Sequence, residues 1–327
     1  MLVFITPKLV EERLPYSYRS RATIPSRHIK DSRVTDDIKS LKPGDIAVLG
    51  KKHSKEDAEY LISKEIKYIV DVADDKFEAP TFKHWYFTIP NANAITTTCH
   101  NLRKLIIKET GGYGKSYVIP DPTERPRGKP KFIPKGIMNA FYYGSHGNYS
   151  KLMWPEIKEV LNGITKTNIK IMTNVPEHEP TKWKYTKGRG GPFWLTPEQK
   201  SEIESAGVKQ FNELIPWDFD EQGKLVEECD FVVLPVADDR HSTCKGNNRP
   251  IDALQQGRMV LTNPGIPSYN DLYDFLYVGD FYKMYQEMID SPGKVISKIT
   301  EAQKFIDKHY SPEAIAKKWI KVYEKLS

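Results

Sequence analysis

The chain has 327 residues, more than one ordinary hydrophobic core holds, and this length predicts about two domains. Hydrophobic residues make up 39% and charged residues 28%, as in folded soluble proteins, and no apolar run approaches the roughly 20 residues that cross a bilayer. The net charge of +6 is spread along the chain, which favours a generally basic solvated surface over a dedicated polyanion site. The N-terminus lacks the pattern of a signal peptide, and the three cysteines have no metal-ligand spacing, so we expect a cytoplasmic protein.

Apolar runs alternate with amphipathic stretches in both halves of the chain, which is the pattern of βαβ units with parallel sheets. In the first half the candidate strands are Leu2–Ile5, Asp45–Leu49, Tyr68–Asp71, Trp85–Thr88, Ala94–Thr97 and Ser116–Ile119. In the second half they are Asn139–Tyr143, Ile169–Thr173, Phe231–Leu234, Met259–Thr262 and Leu276–Val278.

A segment rich in proline, glycine and basic residues separates the two halves and is predicted to be a linker. The expected domains are residues 1–125 and 137–308, joined by a linker at 126–136. The last residues, 309–327, are a predicted helix with Ser311 as its N-cap. The expected fold class is therefore α/β, with two Rossmann-like, doubly wound domains whose strand ends face a cleft.

The segment between Cys229 and Asn263 carries the strongest site pattern. A strand is followed by a polar loop, a helix predicted over Arg249–Gln256 and a second strand. A loop rich in lysine, glycine and asparagine before a helix is typical of anion sites, because backbone N–H groups and the helix dipole face the ligand. Lys245 adds a positive charge, and Asp252 lies one turn into the helix, where it can accept hydrogen bonds from a ribose. The pattern predicts a site for a nucleotide diphosphate.

These residues also have ordinary interpretations that the sequence leaves open. Lys245 can belong to a solvated loop, and Arg249 can be a first-turn residue that adds no second cation to the site. Asp252 is favourable near a helix N-terminus even without a ligand.

Two further loops follow predicted strands. Gly144 and Ser145 open the second domain, where the glycine allows close approach of a phosphate or sugar, although a plain tight turn fits equally well. Asp71, Asp74 and Asp75 crowd carboxylates at the end of a first-domain strand. Such a group can bind a metal or supply a general base, and Asp74 is the preferred functional acid. Asp71 can instead satisfy backbone donors at the strand end.

Three residues just beyond the first strand are candidates for the opposite side of the cleft. Tyr18, Arg19 and Arg21 would line it there, or would form a basic surface helix.

At these residues the chain resembles a GT-B glycosyltransferase, of the group 1, family 4-like retaining enzymes. The matching segments cover most of the chain, and the match is closest from Ala94 onward. In chain order they are ITTTCHNLRKLI with SYVIPDP, YYGSHGNYSKL, ELIPWDFDEQGKLVEECDFVVLP, KGNNRPIDALQQGRMVLTN and HYSPEAIAKKWIKVYEKL. The last segment is similar to the closing helix of the family, which crosses back to the N-terminal domain.

The resemblance implies a UDP- or GDP-sugar donor, bound mainly by the second domain, with no metal and no further cofactor. The donor residues that it implies are Gly144, Ser145, Trp217, Lys245, Gly246, Asn247, Asn248 and Asp252. Among them Lys245 would meet the diphosphate, Asp252 the ribose and the surroundings of Trp217 the base. Lys245, Arg249 and Asp74 are the expected catalytic residues, and the acceptor side comprises Tyr18, Arg19, Arg21, Asp71 and Asp75.

The chain departs from the family pattern at three places. Asp252 stands where the family has a glutamate, and Cys244 stands where many members have another glutamate eight residues earlier. The N-terminal glycine-rich loop of the group is replaced by PYSYRSR.

The predicted function is sugar transfer from a nucleotide-diphosphate sugar to an acceptor hydroxyl, with retention of configuration. A glycan, a lipid-linked sugar or a hydroxylated DNA base would each fit as acceptor, and peripheral contact with a membrane is compatible with the sequence. Two other classes stay open: a sugar-nucleotide epimerase and a noncatalytic binder of nucleotides or polyanions.

Overall fold

The computed structural model describes residues 1–7, 16–111, 115–144, 162–164, 166–173, 201, 210–236 and 239–327. The chain forms two compact units. The first comprises Met1–Glu124, Asp239–Asn248 and Phe305–Ser327, and the second comprises Arg125–Asp238 and Arg249–Lys304. Residues 239–248 group with the first unit, although the boundaries expected from the sequence place them in the second domain. No helix of the described part is long and apolar enough to cross a membrane.

The first unit contains a parallel sheet of six strands in the order β2-β1-β3-β4-β5-β6. These strands are β1 (Leu2–Ile5), β2 (Ser32–Thr35), β3 (Ile46–Leu49), β4 (Lys67–Val72), β5 (Ala94–Thr97) and β6 (Ser116–Val118). The main helices between them are α1 (Lys55–Ser63) and α2 (His100–Thr110). Helix α1 begins at a capping box, in which Ser54 Oγ accepts from the Asp57 N–H at 3.1 Å and Asp57 Oδ2 accepts from the Ser54 N–H at 2.7 Å.

Alternating side chains divide the core of the first unit between the two faces of this sheet. Val3, Leu49 and Val70 pack on one face, in a cluster that also contains the buried side chains of α1 and α2. Leu2, Phe4 and their same-face neighbours pack on the other face against α7 (Pro312–Glu324), whose Trp319 meets Phe4 edge to face at 5.3 Å. The end of the chain therefore completes the core of the first unit.

The second unit contains a parallel sheet in the order β12-β11-β10-β7-β8-β9. These strands are β7 (Met138–Gly144), β8 (Thr167–Thr173), β9 (Gln210–Pro216), β10 (Phe231–Val233), β11 (Met259–Thr262) and β12 (Tyr277–Val278). The helices are α3 (Phe219–Glu228), α4 (Asn248–Gln255), α5 (Phe281–Asp290) and α6 (Pro292–His309). The first residue of α4 and the last residues of α6, from Phe305 onward, belong to the first unit. Two parallel, doubly wound sheets are the fold class that the sequence predicts.

One predicted strand is wrong. Trp85–Thr88 forms a short helix, closed by the Thr88 N–H to the His84 carbonyl at 2.9 Å and the Ile89 N–H to the Trp85 carbonyl at 3.0 Å. The segment lies between β4 and β5, which pair in parallel and therefore need a crossover connection. Its aromatic residues suggest a strand, but burial of Trp85 against Phe77 and Phe82 explains their apolar character equally well.

The residues predicted to be a linker pack along the second unit. Gly128 donates its N–H to the Gln255 carbonyl at 2.8 Å, and Lys131 donates to the Gly257 carbonyl at 3.1 Å. Gly257 lies just beyond α4 with φ +79°, and a Cβ there would lie 2.2 Å from the carbonyl oxygen of Lys129. Glycine at this position allows both the left-handed turn after the helix and the close approach of linker residues 128–131.

Gly257→Ala is therefore expected to lower the free energy of unfolding by about 2 kcal/mol or more, because backbone strain adds to a steric clash. Gly265→Ala is the matched control in the same unit, since Gly265 also has a positive φ, of +96°, but nothing lies within 4 Å of a Cβ there. Urea denaturation of both variants measures the difference. Equal losses of unfolding free energy in the two variants would show that linker residues 128–131 do not constrain Gly257.

Candidate functional site

In the second unit the structure brings Gly144 and Arg249 together at the carboxyl end of β7. Arg249 Nη1 donates to the Tyr143 carbonyl at 3.3 Å, and the Tyr143 hydroxyl donates to the Arg249 carbonyl at 2.8 Å. A Cβ at Gly144 would lie 2.6 Å from Tyr142 Oη and 3.0 Å from Arg249 Nη1. Only glycine leaves space at this strand end, directly beside a guanidinium group.

Tyrosines surround the Arg249 guanidinium. Tyr142, Tyr143 and Tyr269 are all buried. Burial disfavours the charge, but the surrounding Tyr269, Tyr142 and Tyr143 offset it, and the pKa of Arg249 lies above its ordinary value. The group therefore stays a cation, and a half-buried cation at the end of a parallel strand can stabilise a phosphate.

Asp252 and Trp217 differ in their access to solvent. Asp252 is buried at 5% exposure, and its charge acts on the Tyr143 phenol, whose pKa is raised well above its ordinary value by burial first and by Asp252 second. Trp217 follows β9, is 40% exposed, and donates its indole N–H to Gln222 Oε1 at 2.8 Å. A fixed, exposed indole is suited to stacking on a base. Ser145 lies outside the described residues.

In the first unit Asp74 is a carboxylate held by lysines. Lys51, directly after β3, binds Asp74 Oδ2 at 2.6 Å. Burial raises the pKa of Asp74. The charges of Lys51, Lys245 and Lys76 lower it by more than burial raises it, so the pKa lies below its ordinary value. Such a carboxylate is a weak proton acceptor, because general bases work best with a pKa near the working pH. Asp74 is therefore the counter-ion of Lys51, and the charge of Lys245 also acts on it.

Arg21 and Asp71 form a buried ion pair rather than an exposed pair on the acceptor side. The guanidinium binds both carboxylate oxygens, with Nη2 to Oδ1 at 2.6 Å and Nε to Oδ2 at 3.0 Å, and Thr96 donates to Oδ1 at 2.6 Å. Arg21 also donates to the Ile119 carbonyl and lies 3.4 Å from Asp121. Removing either Arg21 or Asp71 would leave the other charge buried without its main partner, which is strongly destabilising.

The other residues expected on the acceptor side are also engaged within the first unit. The buried hydroxyl of Tyr18 accepts from the Lys52 N–H at 3.1 Å, and Arg19 pairs with Glu124 at 2.8 Å. Asp75 pairs with Arg240 at 2.7 Å. Tyr18, Arg21 and Asp71 nevertheless line a narrow pocket with Gly50 and Lys51 at the carboxyl ends of β1, β3 and β4.

Asp121 is the buried acid whose charge is least well compensated in this cluster. Burial raises its pKa from 3.8 to about 6, Arg21 opposes the rise, and Asp71, Asp74 and Glu124 add to it. Since the pKa is higher in the folded state than in the unfolded state, ionisation of Asp121 lowers stability. The loss begins as the pH rises past the unfolded value and is complete above about 6.

Asp121→Asn is therefore expected to stabilise the protein at pH 7.5, by up to about 3 kcal/mol, and to have little effect at pH 4. Urea denaturation at the two pH values measures this, with the low-pH comparison as internal control. If Asp121→Asn is no more stable than the wild type at pH 7.5, ionisation of Asp121 does not destabilise the folded protein.

The remaining predicted donor residues lie around Lys245. Gly246 lies against Asp121, whose Oδ2 would be 3.0 Å from a Cβ at this position. Asn247 is buried and donates its amide to the Tyr310 hydroxyl at 2.9 Å, while Asn248 begins α4. Among the described residues no group of three histidine, cysteine or acidic side chains is arranged to hold a metal ion.

Three of the solved structures that are similar to this chain are HepE, OtsA and GtfA. HepE from Anabaena, solved with UDP and glucose, aligns over 99% of this chain and 99% of its own at 10% identity and a TM-score of 0.67. OtsA, solved in its apo form, aligns over 86% of this chain and 73% of its own at 11% identity and a TM-score of 0.62. The pneumococcal O-GlcNAc transferase GtfA, solved with UDP and GlcNAc, aligns over 88% of this chain and 59% of its own at 10% identity and a TM-score of 0.57.

These three proteins are GT-B glycosyltransferases. The chain has the GT-B fold. No family model and no curated protein matches its sequence. The GT-B resemblance seen in the sequence is confirmed at the level of the fold by structures of about 10% identity.

Three residues that contribute to these sites were not predicted from the sequence. Lys51, the partner of Asp74, directly follows Gly50 at the end of β3, and its position after a predicted strand was the available signal. Tyr269, beside Arg249, and Arg240, beside Asp75, gave no such signal. Their partners lie far away along the chain, and no local pattern connects them.

Proposed function

We propose that this chain is a glycosyltransferase that moves a sugar from a nucleotide-diphosphate sugar to an acceptor hydroxyl. The observation that carries the proposal is the half-buried Arg249 cation beside Gly144, at the carboxyl end of the first strand of the second GT-B unit. Ligands of open parallel sheets bind at these strand ends. HepE and GtfA, which share the fold, were solved with UDP and a sugar.

The donor diphosphate is proposed to bind Arg249 and Lys245, with Gly144 and Ser145 at the phosphate or sugar. Cleavage of the bond to the anomeric carbon leaves negative charge on the phosphate oxygens. A fixed lysine and a half-buried guanidinium would stabilise this charge without reorganisation, and such preorganised stabilisation is the largest contribution in many enzymes. Gly246, Asn247 and Asn248 shape the same loop, Asp252 is proposed for the ribose, and Trp217 for the base.

On the acceptor side, the proposed contacts are the pocket residues Tyr18 and Lys51. The Arg21–Asp71 pair supports the pocket wall, because its hydrogen-bonding groups bind one another. Asp74 is proposed as the counter-ion of Lys245 rather than as the catalytic base. The acceptor itself is proposed to be a glycan, a lipid-linked sugar or a hydroxylated DNA base.

Titration calorimetry with UDP, GDP and ADP tests the donor half of the proposal. We expect UDP or GDP to bind at one site, with ADP as the comparison for base selectivity, and we expect binding to be unchanged by EDTA. Absence of binding by both UDP and GDP would contradict the proposal. A sugar-nucleotide epimerase and a noncatalytic binder would also bind nucleotide, and the transfer assay described at the end of the Discussion separates them from a transferase.

A further inference from the structure

The segment 239–248 leaves the second sheet after β10 and returns to it at α4, yet it belongs to the first unit. It opens with a short helix, Arg240–Thr243, whose N-cap is Asp239. Asp239 Oδ1 accepts from the N–H groups of His241 at 2.8 Å and Ser242 at 3.1 Å. The first turn of the segment is therefore stabilised by hydrogen bonds within the segment itself.

Arg240 attaches this helix to the loop after β4. Its Nε and Nη2 bind the two oxygens of Asp75 at 2.7 and 3.3 Å, and Nη1 lies 3.1 Å from Glu109 and 3.4 Å from Glu78. The Asp75 side chain is only 6% exposed, whereas that of Glu78 is 82% exposed. A bidentate pair with a buried carboxylate is geometrically specific, while contacts to an exposed acid contribute little.

Further contacts fix the segment on both sides of Lys245. The His241 ring lies 3.2 Å from the Asp75 carbonyl, and the Cys99 thiol donates to the Cys244 carbonyl at 3.4 Å. After Lys245, the Asn247 amide donates to the Tyr310 hydroxyl at 2.9 Å. The charge of Lys245 reaches Asp74, where it lowers the pKa of the carboxyl after the larger effects of burial, which raises it, and of Lys51, which lowers it.

We propose that Arg240 is a positioning residue, which holds segment 239–248 on Asp75 and so keeps Lys245 beside Asp74. The inference rests on the proposed function, because it treats Lys245 as the cation that meets the donor diphosphate. A lysine on an unanchored loop would have to be ordered in each catalytic cycle, whereas the anchored one is already in place. Arg240 thus acts on the reaction only through Lys245.

Hydrogen–deuterium exchange without nucleotide tests the anchor directly. In Arg240→Gln and in Asp75→Asn, amides of residues 239–248 are expected to exchange about tenfold faster or more, because local opening becomes easier. Arg240→Lys, which keeps the charge but not the fork, should lie between these variants and the wild type. Glu59→Gln, which breaks the exposed Lys55–Glu59 pair on α1, is the matched control and should leave the segment unchanged. Unchanged exchange in Arg240→Gln and Asp75→Asn would overturn the proposal.

A double-mutant cycle then tests whether Arg240 acts through Lys245. Arg240→Gln alone is expected to lower kcat about 10- to 100-fold, with a smaller change in KM for the donor. In a Lys245→Ala background the same substitution should have almost no further effect. An undiminished effect in that background would contradict the positioning role and would indicate a general loss of structure. If the wild type turns over no donor, the proposed function and this kinetic role fail together, whereas the exchange rates still decide the anchor.

Discussion

Lys245→Ala is expected to lower kcat about 10²–10³-fold, which is the effect of removing one fixed group that stabilises charge in a transition state. The lysine would act on the departing diphosphate, where negative charge increases as the bond to the sugar breaks. The segment 239–248 that carries this lysine is anchored before the donor binds, since Arg240 binds Asp75 and Asn247 binds Tyr310. Steady-state release of nucleoside diphosphate measures the effect.

Lys52→Ala is the matched control for this substitution. Lys52 lies in the same unit, beside Lys51, and it donates its backbone N–H to the Tyr18 hydroxyl, a contact that alanine retains. The Lys52→Ala substitution removes one positive charge, as Lys245→Ala does. It should change kcat by less than about threefold, because exposed charges have small effects. A loss below threefold in Lys245→Ala itself would remove Lys245 from the catalytic residues.

Gly144→Ala is expected to weaken nucleotide binding about 10- to 100-fold, because overpacking at a filled site costs about 1–3 kcal/mol. The new methyl group would lie 2.6 Å from Tyr142 Oη and 3.0 Å from Arg249 Nη1, so the phenol or the guanidinium must shift. Arg249 is the proposed phosphate ligand, and its displacement should reduce affinity for UDP or GDP in calorimetry.

The double variant Gly144→Ala with Tyr142→Phe distinguishes a steric cause from a loss of fold. Removing the Tyr142 hydroxyl removes the atom nearest to the new methyl group and should restore part of the affinity. No recovery in the double variant would indicate a loss of fold instead of a local clash, whereas full affinity in Gly144→Ala alone would show that this strand end does not hold the donor.

Most of the strands that the sequence predicts correctly have buried apolar runs. Val3, Leu49 and Val70 alternate with residues of the opposite face, and both faces of the first sheet are covered. Such strands are apolar along their whole length, which makes them visible without any knowledge of their partners. The C-terminal helix was visible for a related reason, since Ser311 caps it as predicted, with its Oγ accepting from Ala314 N–H at 3.2 Å.

The missed strands, β2 and β9, lie at sheet edges, where an apolar run is not required. Within the sites, residue types at strand ends were predictable, whereas their pairings were not. Arg240 and Asp75 are 165 residues apart, and Arg21 and Asp71 are 50 apart. The sequence suggests Asp71 as an acceptor-side carboxylate or as an acceptor for backbone donors at the strand end, while the fold gives it a buried guanidinium as partner.

The most direct measurement of the proposed function is transfer of a labelled sugar. The protein is incubated with UDP- and GDP-sugars carrying a ¹³C-labelled sugar, together with glycan, lipid-linked sugar and hydroxymethylated duplex DNA acceptors, and the products are analysed by mass spectrometry. We expect the mass of one acceptor class to increase by one labelled sugar, with loss of the product in Lys245→Ala. Binding of nucleotide with no labelled acceptor, or conversion of the donor to an epimer, would contradict the assignment of this chain as a glycosyltransferase.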